Sequence, residues 1–143
     1  MKLASSFTKI VLVCLIASVD ISAGWQSNRT ELEGVWNGVK SSVGDAVRMF
    51  KPGEVKLVFE GGKLVATGLV GRGATATVEF RIDSSHEPKE FDFTRKPGDV
   101  AECIYELNGD ELKIAVPRST SKRPSQFDHT SRELIILILH RQK

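Results

Sequence analysis

From Gly34 to Arg141 the chain is written in short runs rich in Val, Ile, Leu, Phe and Thr, cut by clusters of Gly, Pro, Asn, Asp and Ser. Nothing else in the sequence constrains the fold as strongly, because this is how strands and turns are spelled. Eight such runs are read: Gly34 to Ser41, Glu54 to Phe59, Lys63 to Val70, Ala74 to Asp83, Lys89 to Thr94, Ala101 to Leu107, Glu111 to Val116, and Glu133 to Arg141. Glu60-Gly61-Gly62, Gly71-Arg72-Gly73 and Asn108-Gly109-Asp110 supply the positive-φ residues that tight hairpins need. Strands joined by turns this short must be antiparallel neighbours. A meander of eight of them removes its exposed edges by closing into an up-and-down barrel, with an open sandwich as the structural alternative.

Alternation assigns the faces. Leu112, Ile114 and Val116 share one side of their run, with Glu111, Lys113 and Ala115 on the other; Val78, Phe80 and Ile82 alternate likewise with Thr77, Glu79 and Arg81. The barrel interior is expected to include Trp36, Phe80, Tyr105 and Ile114, as packing or as the lining of a ligand cavity. Leu134 to Leu139 is apolar at every position and needs cover on both faces. Ser42 to Phe50, with Val43, Ala46, Val47 and Phe50 at helix-like spacing, is the expected cover.

Residues 1–24 read as a signal peptide: Lys2 and Lys9 precede the apolar stretch Ile10 to Ala17, which the small residues Ser22, Ala23 and Gly24 follow. That stretch is shorter than the roughly 20 apolar residues of a membrane-spanning helix, and no later segment reaches the length either. The expected product is an exported domain, periplasmic or secreted, of residues 25–143. Trp25 to Glu33 reads as a polar lead-in with Thr30 and Glu33 placed for a capping box, and Asn28-Arg29-Thr30 matches the glycosylation sequon. Without residues 1–24 the chain loses Lys2, Lys9 and Asp20, so its formal net charge falls from +2 to +1. Nucleic acid, which demands a basic surplus on one face, is excluded as a partner. Cys14 falls inside the signal, where Val13 argues against lipidation; Cys103 is then the one cysteine left, and its apolar strand context points to a buried, inert thiol.

Gly34-Val35-Trp36 resembles the G-x-W motif that lipocalins carry on their first strand. There the tryptophan closes the barrel floor and a basic residue near the end of the last strand lies across it, a contact worth about 0.5–2 kcal/mol. Gly34, Trp36 and Arg141 hold the matching places. Over residues 31–141 the chain is similar to a lipocalin-like domain family abundant in planctomycete bacteria. The likeness is carried by Leu32 to Trp36, Val55 to Leu64, Pro88 to Thr94, Ile104 to Ile114 and Arg123 to Gln/Phe at 126–127, with Cys103 and Gln126 departing from the family's usual small residue and Glu. The resemblance implies an exported lipocalin-like barrel and no established activity, so it supplies no catalytic residue.

Enzymatic chemistry finds no motif. His86, His129 and His140 show no metal-ligand spacing, and no serine sits in G-x-S-x-G, so no catalytic residue, metal or cofactor is expected. Arg118, Lys122 and Arg123 gather before the last strand and offer an anion site at a barrel mouth, or a solvated loop. Asp92, between Phe91 and Phe93, is expected to face solvent or hold a structural hydrogen bond. Two functions follow, both non-enzymatic and both for a monomer: a binder of a small apolar or amphipathic molecule inside the barrel, or a protein-interaction or inhibitor module with a filled barrel. A cavity joined to solvent favours the first, and a packed lumen with an exposed apolar patch the second.

Overall fold

The computed structural model describes residues 31–69, 71, 73–118 and 122–143. The signal segment with Cys14, the capping Thr30, the sequon, Val70 and Arg72 lie outside them. Among the described residues nine strands form in chain order: β1 (Gly34–Val43), β2 (Ala46–Met49), β3 (Lys56–Glu60), β4 (Lys63–Thr67), β5 (Thr75–Asp83), β6 (Lys89–Lys96), β7 (Asp99–Asn108), β8 (Glu111–Pro117) and β9 (Leu134–Arg141). Every pairing is antiparallel, from β1–β3 through β8–β9. The pairing of β1 with β9, from Trp36 opposite Arg141 to Ser42 opposite Ile136, closes an eight-strand barrel.

The short β2 is the correction to the expected helix over Ser42 to Phe50. β1 runs on to Val43, turns at Gly44 and Asp45, and folds back as β2 with Ser42 opposite Val47 and Lys40 opposite Met49. Gly44 takes the turn at φ +57°, which favours glycine, and its N–H donates to Ser131 O at 3.0 Å. The spacing of the apolar residues at 43, 46, 47 and 50 was compatible with a helix, but the turn and the β-branched Val43 and Val47 favour a hairpin.

The interior is built from large side chains. Trp36, Tyr105, Phe59, Phe80 and Phe91 are each less than 5% exposed and belong to one core with Leu57, Leu64, Leu112, Ile114, Leu137 and Leu139. Phe59 meets Phe80 edge-on at 5.0 Å between centroids and Phe91 at 5.9 Å, while Phe80 and Phe91 also lie 5.9 Å apart. Such pairs contribute about 0.5–1.5 kcal/mol each beyond simple burial. Trp36, Phe80, Tyr105 and Ile114 all stand in this packing.

One end is sealed by the lead-in to β1. Leu32 is fully buried, the indole Nε1–H of Trp36 donates to Leu32 O at 2.9 Å, and the Arg141 guanidinium lies 4.2 Å from the Trp36 ring. The same guanidinium donates to Glu33 O at 2.8 Å and Glu31 O at 3.1 Å, while Gly34, at φ +119°, passes beneath it. Glu31 completes the seal by accepting from the Tyr105 hydroxyl at 2.9 Å and from Lys89 Nζ at 2.6 Å.

Candidate functional site

The register places the outward side chains of five strands in two rows. Val47, Ser42, Ile136, Ala115 and Ile104 form one row across β2, β1, β9, β8 and β7; Met49, Lys40, Ile138, Lys113 and Glu106 form the next. β1 reaches these rows because its register shifts between Gly38 and Lys40, which turns Lys40 and Ser42 outward although Trp36 and Gly38 lie on the inner face.

Half of this apolar face is covered by the chain itself. Ile104, Ala115 and Ile136 are buried beneath Phe127 of the connection from β8 to β9, and Lys113 Nζ sits 4.8 Å over the Phe127 ring. This connection, rather than a helix, covers the outer face of β9. Arg123 fastens it to the barrel: its guanidinium donates to Asp92 Oδ1 at 2.7 Å and Cys103 O at 2.8 Å, and stands 3.4 Å from Glu90 and 3.9 Å from Glu102. Asp92 thus holds a structural bond on the outer surface. The hydrogen bond that the Arg123 guanidinium donates to Asp92, and the Asp92 charge, hold it above its already high pKa.

The other half is open. Val47 and Met49 are 60% and 63% exposed, and all four residues of β2 are exposed. Beside them a groove of about 550 Å³ runs between β2, β1, β9 and β8 and the residues near His129, with Lys40, Val47, Lys113, His129, Ile136 and Ile138 in its walls. Among the described residues β2 pairs with β1 alone, so its far side is a sheet edge.

A second groove, of about 450 Å³, opens where β5 changes partner. Residues Thr75 to Glu79 pair with β4, whereas Phe80 to Asp83 pair with β6, so the wall parts beside Phe80 and Phe93. Lys63, Glu79, Arg81, Asp92, Thr94 and Val100 rim it. Phe80 is the one expected interior residue that lines either groove; Trp36, Tyr105 and Ile114 lie in the packed core.

The supposed anion site is dispersed. Arg123 is occupied by three carboxylates and Arg118 donates to Arg132 O at 3.2 Å, while Lys122 stands exposed. Cys103 is free and buried, and desolvation, aided by the Asp92 charge, pushes its thiol up to about 12. The Tyr105 hydroxyl is raised as well, first by burial and then by its bond to Glu31. Asp83, His86 and Glu90 come together at the connection between β5 and β6, a grouping no sequence spacing announced. The open β2 edge was equally missed, although Gly44-Asp45 between apolar runs is a turn signal that could have found it. No protein-family model matches the chain, and neither a curated protein nor a solved structure matches it.

Proposed function

We propose that this chain is a non-enzymatic binding module whose filled barrel is a scaffold, and that the outer face of β2, β1 and β9 receives an extended segment of a partner protein. The half-covered apolar row carries this reading: Phe127 buries Ile104, Ala115 and Ile136, while Val47 and Met49 continue the same face uncovered. An incoming strand finds both things such a segment needs. The free edge of β2 offers main-chain N–H and C=O groups, and Val47, Met49 and the adjoining groove offer apolar contact, which together are the elements of strand addition. An apolar edge left bare is a standing aggregation hazard, so a partner that covers it answers a physical need. Residues 1–24, read as an export signal, put that partner outside the cytoplasm, and the lipocalin-like motifs agree with a small barrel used for binding.

The test is recovery of partners from the native host with the wild-type protein and with Val47→Asp/Met49→Asp, both exposed changes that leave the core untouched. A partner held by the wild type, lost from the double variant, and slowing amide exchange in β2 supports the proposal. Equal recovery by both proteins overturns it. The groove beside Phe80 and Phe93 favours a second reading, an amphipathic small molecule with its apolar part on the two rings and its polar part among Lys63, Arg81 and Thr94. A stoichiometric small molecule in native mass spectrometry, displaced by Phe93→Ala, would establish that reading instead.

A further inference from the structure

Asp83 ends β5 directly opposite Glu90 of β6, so two carboxylates face each other across the strand pair, on the same face as Arg81 and Asp92. Like charges so placed destabilise a sheet unless a cation lies between or beside them. His86, from the connection between these strands, points back at the pair, its Nε2 3.3 Å from Asp83 Oδ2. One donor atom from each of Asp83, His86 and Glu90 lies within 4.8 Å of the other two. The cluster also carries surplus charge. Asp83, Glu90, Asp92 and Glu102 gather near the Arg123 guanidinium, and Arg81 stands opposite Asp92, leaving two of the four negative charges unanswered by arginine.

We infer that Asp83, His86 and Glu90 form a three-ligand site for a divalent transition cation of the zinc type. The donor set selects the class: an imidazole and two carboxylates suit zinc and its neighbours, whereas calcium takes six to eight oxygens and magnesium prefers oxygen ligands and water. Metal bonds of about 2.0–2.1 Å in a tetrahedron put ligand atoms roughly 3.3 Å apart. The Asp83–His86 separation already has that value, and with all three donor atoms within 4.8 Å of one another the remaining approach is a side-chain rotation of Glu90. Asp83 is held in place for it, its Oδ1 accepting from the N–H and hydroxyl of Ser85, which leaves Oδ2 toward His86. Three protein ligands leave the fourth position to water. The site lies on β5, β6 and their connection, away from the β2 groove, and stands independently of the partner reading.

Isothermal titration of the metal-free protein with zinc chloride tests it, with His86→Ala as the variant, because His86 is exposed and its loss leaves the barrel intact. The expected result is one equivalent bound by the wild type, an affinity at least ten times weaker for His86→Ala, and no displacement by a hundredfold excess of calcium. Cobalt(II) reports the geometry separately: the wild type gives the visible absorption of a low-symmetry four-coordinate ion, and His86→Ala does not. His129 and His140 are the other candidate ligands, so a His129→Ala/His140→Ala variant accompanies the series and keeps full binding. Affinity unchanged in His86→Ala, or lost only in the His129/His140 variant, overturns the inference.

Discussion

Replacing Arg141 by Met removes a guanidinium that does three things at the closed end of the barrel. It lies 4.2 Å from the Trp36 ring and donates to Glu33 O at 2.8 Å and to Glu31 O at 3.1 Å. The ring contact is worth about 0.5–2 kcal/mol. Each charged hydrogen bond would add about 1.5–3 kcal/mol if the carbonyls were stranded, but the Arg141 side chain is 29% exposed, so water can reach them in the variant and about 1 kcal/mol each is the better figure. Methionine keeps the apolar stem over the indole. The expected loss is therefore about 3 kcal/mol, which for a domain of this size lowers Tm by roughly 10–12 °C. Thermal unfolding followed by far-ultraviolet circular dichroism measures it, with Arg141→Lys as the companion. Lysine retains the charge over the ring but cannot span both carbonyls, so its loss should be about half as large. A Met variant within about 2 °C of the wild type would refute the reasoning, and a Lys variant as damaged as Met would refute the weight given to the ring contact.

Three further outcomes are expected. Burial raises the Cys103 thiol from its ordinary value near 9 to about 12, so the stability it contributes is complete below pH 9 and is lost as pH rises from 9 to 12, at most about 1.4 kcal/mol per pH unit. Urea midpoints should show the wild type's advantage over Cys103→Ala shrinking by about 2 kcal/mol between pH 8 and pH 10.5, and parallel curves would contradict the assignment. Phe127→Ala should cost about 2 kcal/mol and raise binding of an apolar dye, since it uncovers Ile104, Ala115 and Ile136; a change under about 0.5 kcal/mol would mean the ring is not the cover. A Cβ on Gly38 would meet Val55 Cβ at 2.7 Å and Cγ1 at 2.8 Å, so Gly38→Ala should cost about 1–3 kcal/mol, and the same change made in a Val55→Gly background, which lacks both atoms, should cost less if the clash is the cause.

The barrel was legible because each run carries its own face and each turn its own glycine. Leu112, Ile114 and Val116 needed only a period of two to be assigned inward, and Asn108-Gly109-Asp110 only its turn chemistry to make β7 and β8 neighbours. Arg141 over Trp36 followed from a motif at one end of the chain and a basic residue at the other. What was not legible depends on pairing across strands. Val43, Ala46, Val47 and Phe50 satisfy a helical spacing and a hairpin alike, and the choice is made by Gly44 and its bond to Ser131, a residue distant in sequence. Arg123 read as a free cation because Glu90, Asp92 and Glu102 surround it only after β6 and β7 have paired, with Asp92 opposite Glu102. The Asp83, His86 and Glu90 grouping needs the same knowledge, namely that Asp83 and Glu90 stand opposite each other.

The connection from β8 to β9 is what divides the apolar outer surface into a covered part and an open part. Its anchors lie on β6 and β7 through Arg123 and at the β1–β2 turn through Ser131, and Phe127 drops between them onto β7, β8 and β9. The covered residues Ile104, Ala115 and Ile136 are spent on folding, since they are buried in the isolated chain. Val47 and Met49 contribute little to that state because water already reaches them. Substitutions on β2 should therefore move affinity for a partner without moving stability, and substitutions under Phe127 should do the reverse. A surface divided in this way leaves the edge strand β2 apolar and exposed while the barrel that carries it keeps its packed core, the arrangement the proposed partner site requires.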